Sequence, residues 1–335
     1  MMVTFHCSTI SVAISLIGLL QFPEFDAQSP RKVGSEQILL WRDERLAVIR
    51  SDGKDFQWLT SPPRRGLTQE ILPSCLRLSP NRRRIAFGID DNQSAAPPHG
   101  GTVGAIHVRD LETGDETQDL KIDGHFWCWS PDSRKLAVTL IDDDPKLQVY
   151  RFKHWLVDVV TGVKSTLDIP ADHAISDWSP DGKWFATSSN WGSFKEHVGS
   201  RVQLSLVSID GSAVRPIGMA GRAGLGGRFS PDGLQLLSLQ ENNDSTGQLV
   251  VTSLANGECR QLTTALNGTI AGFCWSPDGQ QIAYAWRQQH PQPLPNQETE
   301  SFLVVVDCLG NNSTTILTDK SDNPATNHFW SIDWR

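Results

Sequence analysis

Helical patterning is almost missing from this sequence. Beyond residue 27, no stretch places apolar residues at i, i+3, i+4 and i+7, which argues against a helical bundle or a helix-covered sheet. Catalytic signatures are missing too. There is no Gly-x-Ser-x-Gly elbow, no P-loop, no Gly-x-Gly-x-x-Gly opening a helix and no Cys-x-x-Cys pair. Serine-hydrolase, nucleotide-binding and thiol-redox chemistry therefore lack their usual anchors. A basic excess is lacking as well: 30 Lys and Arg face 38 Asp and Glu, for a net charge of −8. Nucleic acid is accordingly not expected as a partner, because phosphate binding needs basic patches. The run Arg82-Arg83-Arg84 is read as a solvated strand edge.

Long hydrophobic runs are scarce. Ser8 to Leu20 is the one apolar stretch, and it falls short of the roughly 20 residues a membrane span needs. It suits the apolar core of a signal peptide, although no Lys or Arg precedes it; the competing readings are an uncleaved N-terminal anchor or a mis-assigned start. The expected organisation is a signal peptide over 1–27, a short linker over 28–36 and one domain over 37–335, with no membrane span in the mature chain. Cysteine is also sparing. Of six cysteines, Cys7 lies ahead of the apolar stretch, and the remaining odd number argues against a full disulfide framework. Cys259 and Cys308 are the pair placed near enough to bridge, subject to strict geometry.

What the sequence does contain is a repeat. Leu78-Ser79-Pro80-Asn81 returns as Trp129-Ser130-Pro131-Asp132, Trp178-Ser179-Pro180-Asp181, Phe229-Ser230-Pro231-Asp232 and Trp275-Ser276-Pro277-Asp278. The interval is about 50 residues, a period of repeat architectures. Proline presets φ for a turn, Asp suits its polar corner, and the Gly that follows in three copies accepts positive φ. Five residues past each proline stands Ile85, Leu136, Phe185, Leu236 or Ile282, followed by Ala86, Ala137, Ala186, Leu237 or Ala283. Adjacent strand residues face opposite ways, so each unit must be a sheet packed between sheets. Further apolar strands closed by Asp-, Asn- or Gly-containing turns, such as Leu204–Val207 before Asp210-Gly211 and Val304–Asp307 before Gly310-Asn311, complete four strands per unit. That is the pattern of a β-propeller blade.

Five units are complete. Residues 37–60 hold three strands with no partner for a fourth, and Phe329–Trp334 holds one strand that stops short of a Ser-Pro turn. The two ends are expected to share a blade, giving an all-β, six-bladed propeller closed by its C-terminal strand, which hides sheet edges.

The repeat phrase resembles the WD40-like PD40 repeat of the TolB propeller family, over roughly residues 37 to 335. The resemblance implies a six-bladed ring, and TolB itself is periplasmic; the periplasmic or secreted location expected here rests on the apolar stretch Ser8–Leu20. The α/β domain that precedes the TolB propeller has no counterpart between the leader and the first strand, so the role of TolB in the Tol–Pal envelope system is not carried over. Related propellers accompany prolyl-oligopeptidase-type hydrolase domains and occur in some polysaccharide lyases.

Function is expected on one face. The Ser-Pro-Asp turns fall on the bottom, whereas the long connections around Asp90–Thr102, Ser188–Ser200, Glu241–Gln248 and Trp286–Glu300 fall on the top. Loops on a rigid scaffold carry function. Trp191, Phe194, His197, Trp286 and His290, next to the stiff segment Pro291–Pro295, form the candidate surface for a protein or peptide partner. The preferred reading is a non-catalytic exported scaffold without a cofactor. The alternative is a metal-assisted lyase or hydrolase acting on a polysaccharide, with His125, His173 and His328 holding a divalent metal at the channel mouth beside Asp123, Asp172 or Asp177; the competing reading makes these histidines strand-entry residues bonded to backbone. Oligomeric state is not legible.

Overall fold

The computed structural model describes residues 33–42, 45–60, 70–90, 104–113, 116–142, 151–189, 202–218, 222–241, 247–264, 266, 268–288, 299–321 and 331–334. Residues 1–32, which hold the expected signal peptide and most of the expected linker, lie outside these residues, as do the central parts of the long connections. Twenty-four strands follow in chain order. The first three are β1 (Gln37–Arg42), β2 (Arg45–Arg50) and β3 (Gln57–Trp58). Blade two is β4 (Glu70–Leu78), β5 (Arg84–Asp90), β6 (Gly104–Asp110) and β7 (Glu116–Gly124). Blade three is β8 (Phe126–Trp129), β9 (Lys135–Ile141), β10 (Phe152–Asp158) and β11 (Lys164–Thr166). Blade four is β12 (Ala174–Trp178), β13 (Trp184–Ser189), β14 (Gln203–Ser208) and β15 (Val214–Pro216). Blade five is β16 (Arg222–Phe229), β17 (Gln235–Glu241), β18 (Gly247–Ser253) and β19 (Cys259–Gln261). Blade six is β20 (Gly268–Trp275), β21 (Gln281–Gln288), β22 (Thr299–Asp307) and β23 (Ser313–Ser321). The last strand, β24 (Ile332–Asp333), pairs antiparallel with β1 through Leu39↔Asp333 and Leu40↔Ile332. Blade one is thus β24-β1-β2-β3, one of six four-stranded sheets, and the expected closure is present.

The alternation of large and small residues builds the contacts between blades. Ala86 of blade two packs with Trp127, Trp129 and Leu136 of blade three. Ala137 of blade three packs with Trp178 and Phe185 of blade four, and Ala186 of blade four with Phe229 and Leu236 of blade five. Ala283 of blade six meets Ile38, Leu40 and Trp334 of blade one. A small residue on one sheet makes room for a bulky one on the next, so the core is a ring of wedges. Each fully buried Leu, Ile or Phe there contributes about 1.5–3 kcal/mol.

The repeat phrase folds as one hydrogen-bonded turn. Ser179 Oγ donates to Asp181 Oδ1 at 2.6 Å and accepts the Trp184 N–H at 2.9 Å. Asp181 Oδ1 accepts the Lys183 N–H at 3.0 Å, and Gly182 adopts φ 75°. The pattern recurs at Ser130/Asp132, Ser230/Asp232 and Ser276/Asp278. The serine hydroxyl is the largest influence holding the carboxyls of Asp132, Asp181 and Asp278 below their ordinary value. Where the glycine is lost, Arg82 and Ser133 adopt φ 59° and 61° themselves.

Two expectations are corrected. Arg82 is not a solvated edge residue. Its guanidinium donates to the carbonyls of Val33, Gly34 and Gln37, and burial pulls its pKa down to about 10. It ties the turn of blade two to the segment leading into blade one, a contact invisible in a local charge count. The other concerns the glycine-rich run Gly221–Gly227, whose sequence reads as a connection between blades rather than a phosphate cradle. Residues from Arg222 onward belong to β16, whose register against β17 shifts between Ala223 and Gly227. A Cβ at Gly227 would stand 2.4 Å from Leu236, and one at Gly226 would stand 2.5 Å from Ser176, so glycine here lets the innermost strand pack closely.

Candidate functional site: the axial channel

The innermost strands surround an axial channel in the order β24, β4, β8, β12, β16, β20. Their last residue before each bottom turn is Trp or a smaller apolar residue, and the residue before that one forms a ring. Read around the ring, it is Asp333, Arg77, Cys128, Asp177, Arg228 and Cys274. Blades three apart carry the same residue, so the ring has a two-fold pattern imposed on six blades.

Each residue type has a job. Asp177 is fully buried, and its Oδ2 accepts the Phe229 N–H of the next blade at 2.9 Å. Asp333 does the same for the Leu78 N–H at 2.9 Å. One turn higher, Ser176 Oγ accepts the Gly227 N–H at 3.1 Å, and Ser331 Oγ accepts the Leu76 N–H at 3.1 Å. Blade one is stitched to two, and four to five, by the same pair of side chains. The indoles supply other stitches: Trp129 Nε1 donates to the Arg77 carbonyl at 3.0 Å, and Trp275 Nε1 to the Arg228 carbonyl at 3.1 Å. Cys128 and Cys274 are small buried fillers, and neither they nor Cys259 and Cys308 form a disulfide.

Among the described residues, two cavities lie along the axis. The lower, of about 260 Å³, is rimmed by Pro80, Pro131, Pro180, Pro231 and Pro277, one proline from each repeat phrase. The upper, of about 130 Å³, is lined by Arg77 and Arg228, by Phe126, Trp127 and Phe273, and by small residues. Arg228 lines both.

The histidines flagged by sequence are placed as follows. His125 enters β8 from the top and is buried; its Nδ1 accepts the Ile141 N–H at 3.1 Å. His173 precedes β12 and shares a 2.8 Å hydrogen bond with Thr187 Oγ1. His154, which sequence reasoning passed over, shares a 3.0 Å bond with Thr139 Oγ1, which in turn accepts the Ile175 N–H of blade four at 3.3 Å. Asp177 belongs to the ring below. Among the described residues, no group of three or more His, Cys, Asp or Glu side chains is arranged to hold a metal ion. His328, Trp191, Phe194, His197 and His290 lie outside the described residues. Trp286 is in β21 beside a top connection, half-buried, with its ring stacked on Phe302 at 4.8 Å. The large apolar residues exposed among the described residues are Val160 and Val163 on the last hairpin of blade three, Ile209 and Val214 on that of blade four, Leu234 on blade five and Leu309 on blade six, and scattered exposure of this kind is a normal feature of protein surfaces.

Burial pushes the pKa of His125 and of His154 down to about 4, and that of His173 below its ordinary value. A folded pKa below the unfolded value near 6.5 means that stability is fully present above pH 6.5 and declines as the pH falls towards 4. At one pKa unit per 1.36 kcal/mol, His154 alone is expected to account for about 3 kcal/mol. Urea titrations at pH 7.5 and 4.5 check this. The wild type should lose several kcal/mol between them, and His154→Gln should lose measurably less. An equal loss in both would show that His154 is not the sensor.

The fold and channel define a six-bladed β-propeller whose interior polar residues mainly join blades. Comparison with known proteins agrees. The TolB beta propeller domain (PD40) matches residues 42–331, and the chain belongs to that family. TolB from Acinetobacter baumannii superimposes with a TM-score of 0.61 at 18% identity, covering 90% of this chain and 67% of that one. A putative TolB from Agrobacterium tumefaciens gives 0.53 at 15% identity, covering 84% and 88%. A chain of a nidogen/laminin complex gives 0.54 at 9% identity, covering 89% and 97%. At these identities the likeness concerns the fold. Among the described residues, no helix is long and apolar enough to cross a membrane.

Proposed function

We propose that this chain is a non-catalytic, exported scaffold that binds a protein or peptide through its top face. The carrying observation is the asymmetry between the faces. Every bottom a–b turn is built from one hydrogen-bonded phrase, whereas the connections between β5 and β6, β13 and β14, and β21 and β22 are long and chemically individual, and all emerge on the other side. Family membership supports a binding role, and the apolar stretch Ser8–Leu20 supports export to the periplasm or beyond. Aromatic anchors on a rigid rim are the residues expected to dominate binding, which points to Trp191 and Trp286.

The test compares three proteins in capture from an envelope extract of the native host. The Trp191→Ala, Trp286→Ala double variant should lose whatever partner the wild type retains. Its stability should fall by about 1 kcal/mol through the lost stack on Phe302, leaving circular dichroism unchanged. Asp181→Ala, in a bottom turn, should lower stability by about 1 kcal/mol and retain the partner. Normal capture by the tryptophan variant contradicts the top-face assignment at these positions.

A further inference from the structure

The upper axial cavity has a chemistry that blade stitching does not account for. Arg77 and Arg228 sit on blades two and five, which are opposite each other in the ring, and both line this space. Arg228 has partial compensation, with Asp177 at 3.9 Å and the Ser176 carbonyl at 2.8 Å. Arg77 has less. Its Nη1 donates to the Leu76 carbonyl at 2.8 Å, its buried Nε has no partner, and among the described residues it forms no ion pair. A partly buried guanidinium without a carboxylate is costly unless something else supplies the negative charge. The same wall holds Trp127, only 2% exposed, whose buried indole N–H also lacks a partner. Among the described residues, no Asp or Glu lines the cavity. Two guanidinium groups, one of them without a carboxylate, thus line this space.

We propose that this upper chamber is a binding site for a single carboxylate group, held between Arg77 and Arg228. Guanidinium forks match the planar carboxylate, and charge-assisted bonds of this kind are the strong ones. Carboxylate suits the site better than a dianion such as phosphate. Asp177, 3.9 Å from Arg228, already offsets one of the two guanidinium charges, and Asp333 acts on Arg82, so one added negative charge is matched and two are not. The volume sets the size. About 130 Å³ is the share of about four waters, room for a carboxylate head and a short apolar neck against Phe126 and Phe273. Such a head is available on a free small acid or at the C-terminus of a peptide. The site is separate from the top rim residues and does not rest on their role.

Calorimetric titration of the full chain tests this with four probes: phenylacetate, phenylacetamide, and a short Phe-ending peptide with a free or an amidated C-terminus. A 1:1 isotherm is expected for at least one of the two carboxylate probes, with its amide at least tenfold weaker. Binding of phenylacetate and peptide alike assigns the site to free acids and chain ends together; binding of the free-ended peptide alone assigns it to chain ends. Arg77→Met, which keeps the apolar stem, should weaken binding at least tenfold, and Arg77→Lys should recover part of it. Should an arginine variant fail to fold, the wild-type contrast still decides: a rise in Tm with acid but not with amide supports the site. Acid and amide binding equally, neither binding, or folded Arg77→Met binding like wild type overturns it.

Discussion

Deleting residues 331–335 is expected to abolish cooperative folding. Few short segments carry so much. Ile332 and Trp334 are 3% and 2% exposed and fill the wedge between blades six and one. Trp334 Nε1 donates to the Ser35 carbonyl at 3.0 Å, and the Trp41 N–H donates to the Ser331 carbonyl at 3.1 Å. Ser331 and Asp333 accept the Leu76 and Leu78 amides of blade two. Truncation removes all of these together and exposes the edge of β1. One large aromatic truncated to Ala in a core costs about 3–5 kcal/mol, and the net stability of a domain is about 5–15 kcal/mol. Urea titration followed by tryptophan fluorescence should show no cooperative transition for the truncated chain, and a loss of about 3–5 kcal/mol for Trp334→Ala. An unchanged midpoint in the truncated chain would mean that β24 is ornamental.

The second large effect concerns the ring. Asp177→Leu is expected to cost about 3–5 kcal/mol, the range for removing one partner of a buried pair. The Phe229 N–H loses its acceptor, and Arg228 loses its nearby negative charge. Asp177→Asn keeps an oxygen for the amide and should cost less. Asp333→Leu should behave like Asp177→Leu, because it occupies the equivalent place three blades away and accepts the Leu78 and Trp334 amides. Chemical denaturation of the four proteins checks the ordering. A cost below 1 kcal/mol for both leucine variants would remove the ring from the account of blade joining.

Much of the fold was legible because its determinants are local. The Ser-Pro-Asp turn closes within six residues, as at Ser179–Trp184, and the large–small pairs sit on one strand. Even the closure was readable, because a missing strand at one end matched a spare strand at the other. The interior polar ring was not read. Its partners lie about 50 residues apart, one repeat period, and Asp333, Arg77, Cys128, Asp177, Arg228 and Cys274 look like divergence until the repeats are overlaid and read around a circle. The signal was the residue immediately before each repeat aromatic. Arg82 was misjudged because three adjacent arginines suggest solvent, whereas its acceptors are carbonyls of a segment far back in the chain. The strand role of the β16 glycines is not legible, because sequence does not show that Leu236 and Ser176 need the space. His125 and His173 were found, but their burial and hydrogen bonding depend on the neighbouring strands and blades.

The central structural claim is that the two chain ends complete one blade and make the ring a single cooperative unit. Residue-resolved hydrogen exchange on the full chain tests it most directly. The β1 and β24 amides that are hydrogen-bonded should exchange only through global unfolding, with the same protection free energy as those of β9 and β13. If the β24 amides exchange early and alone while β9 and β13 stay protected, the C-terminal strand is a loosely attached end and the closed ring is wrong.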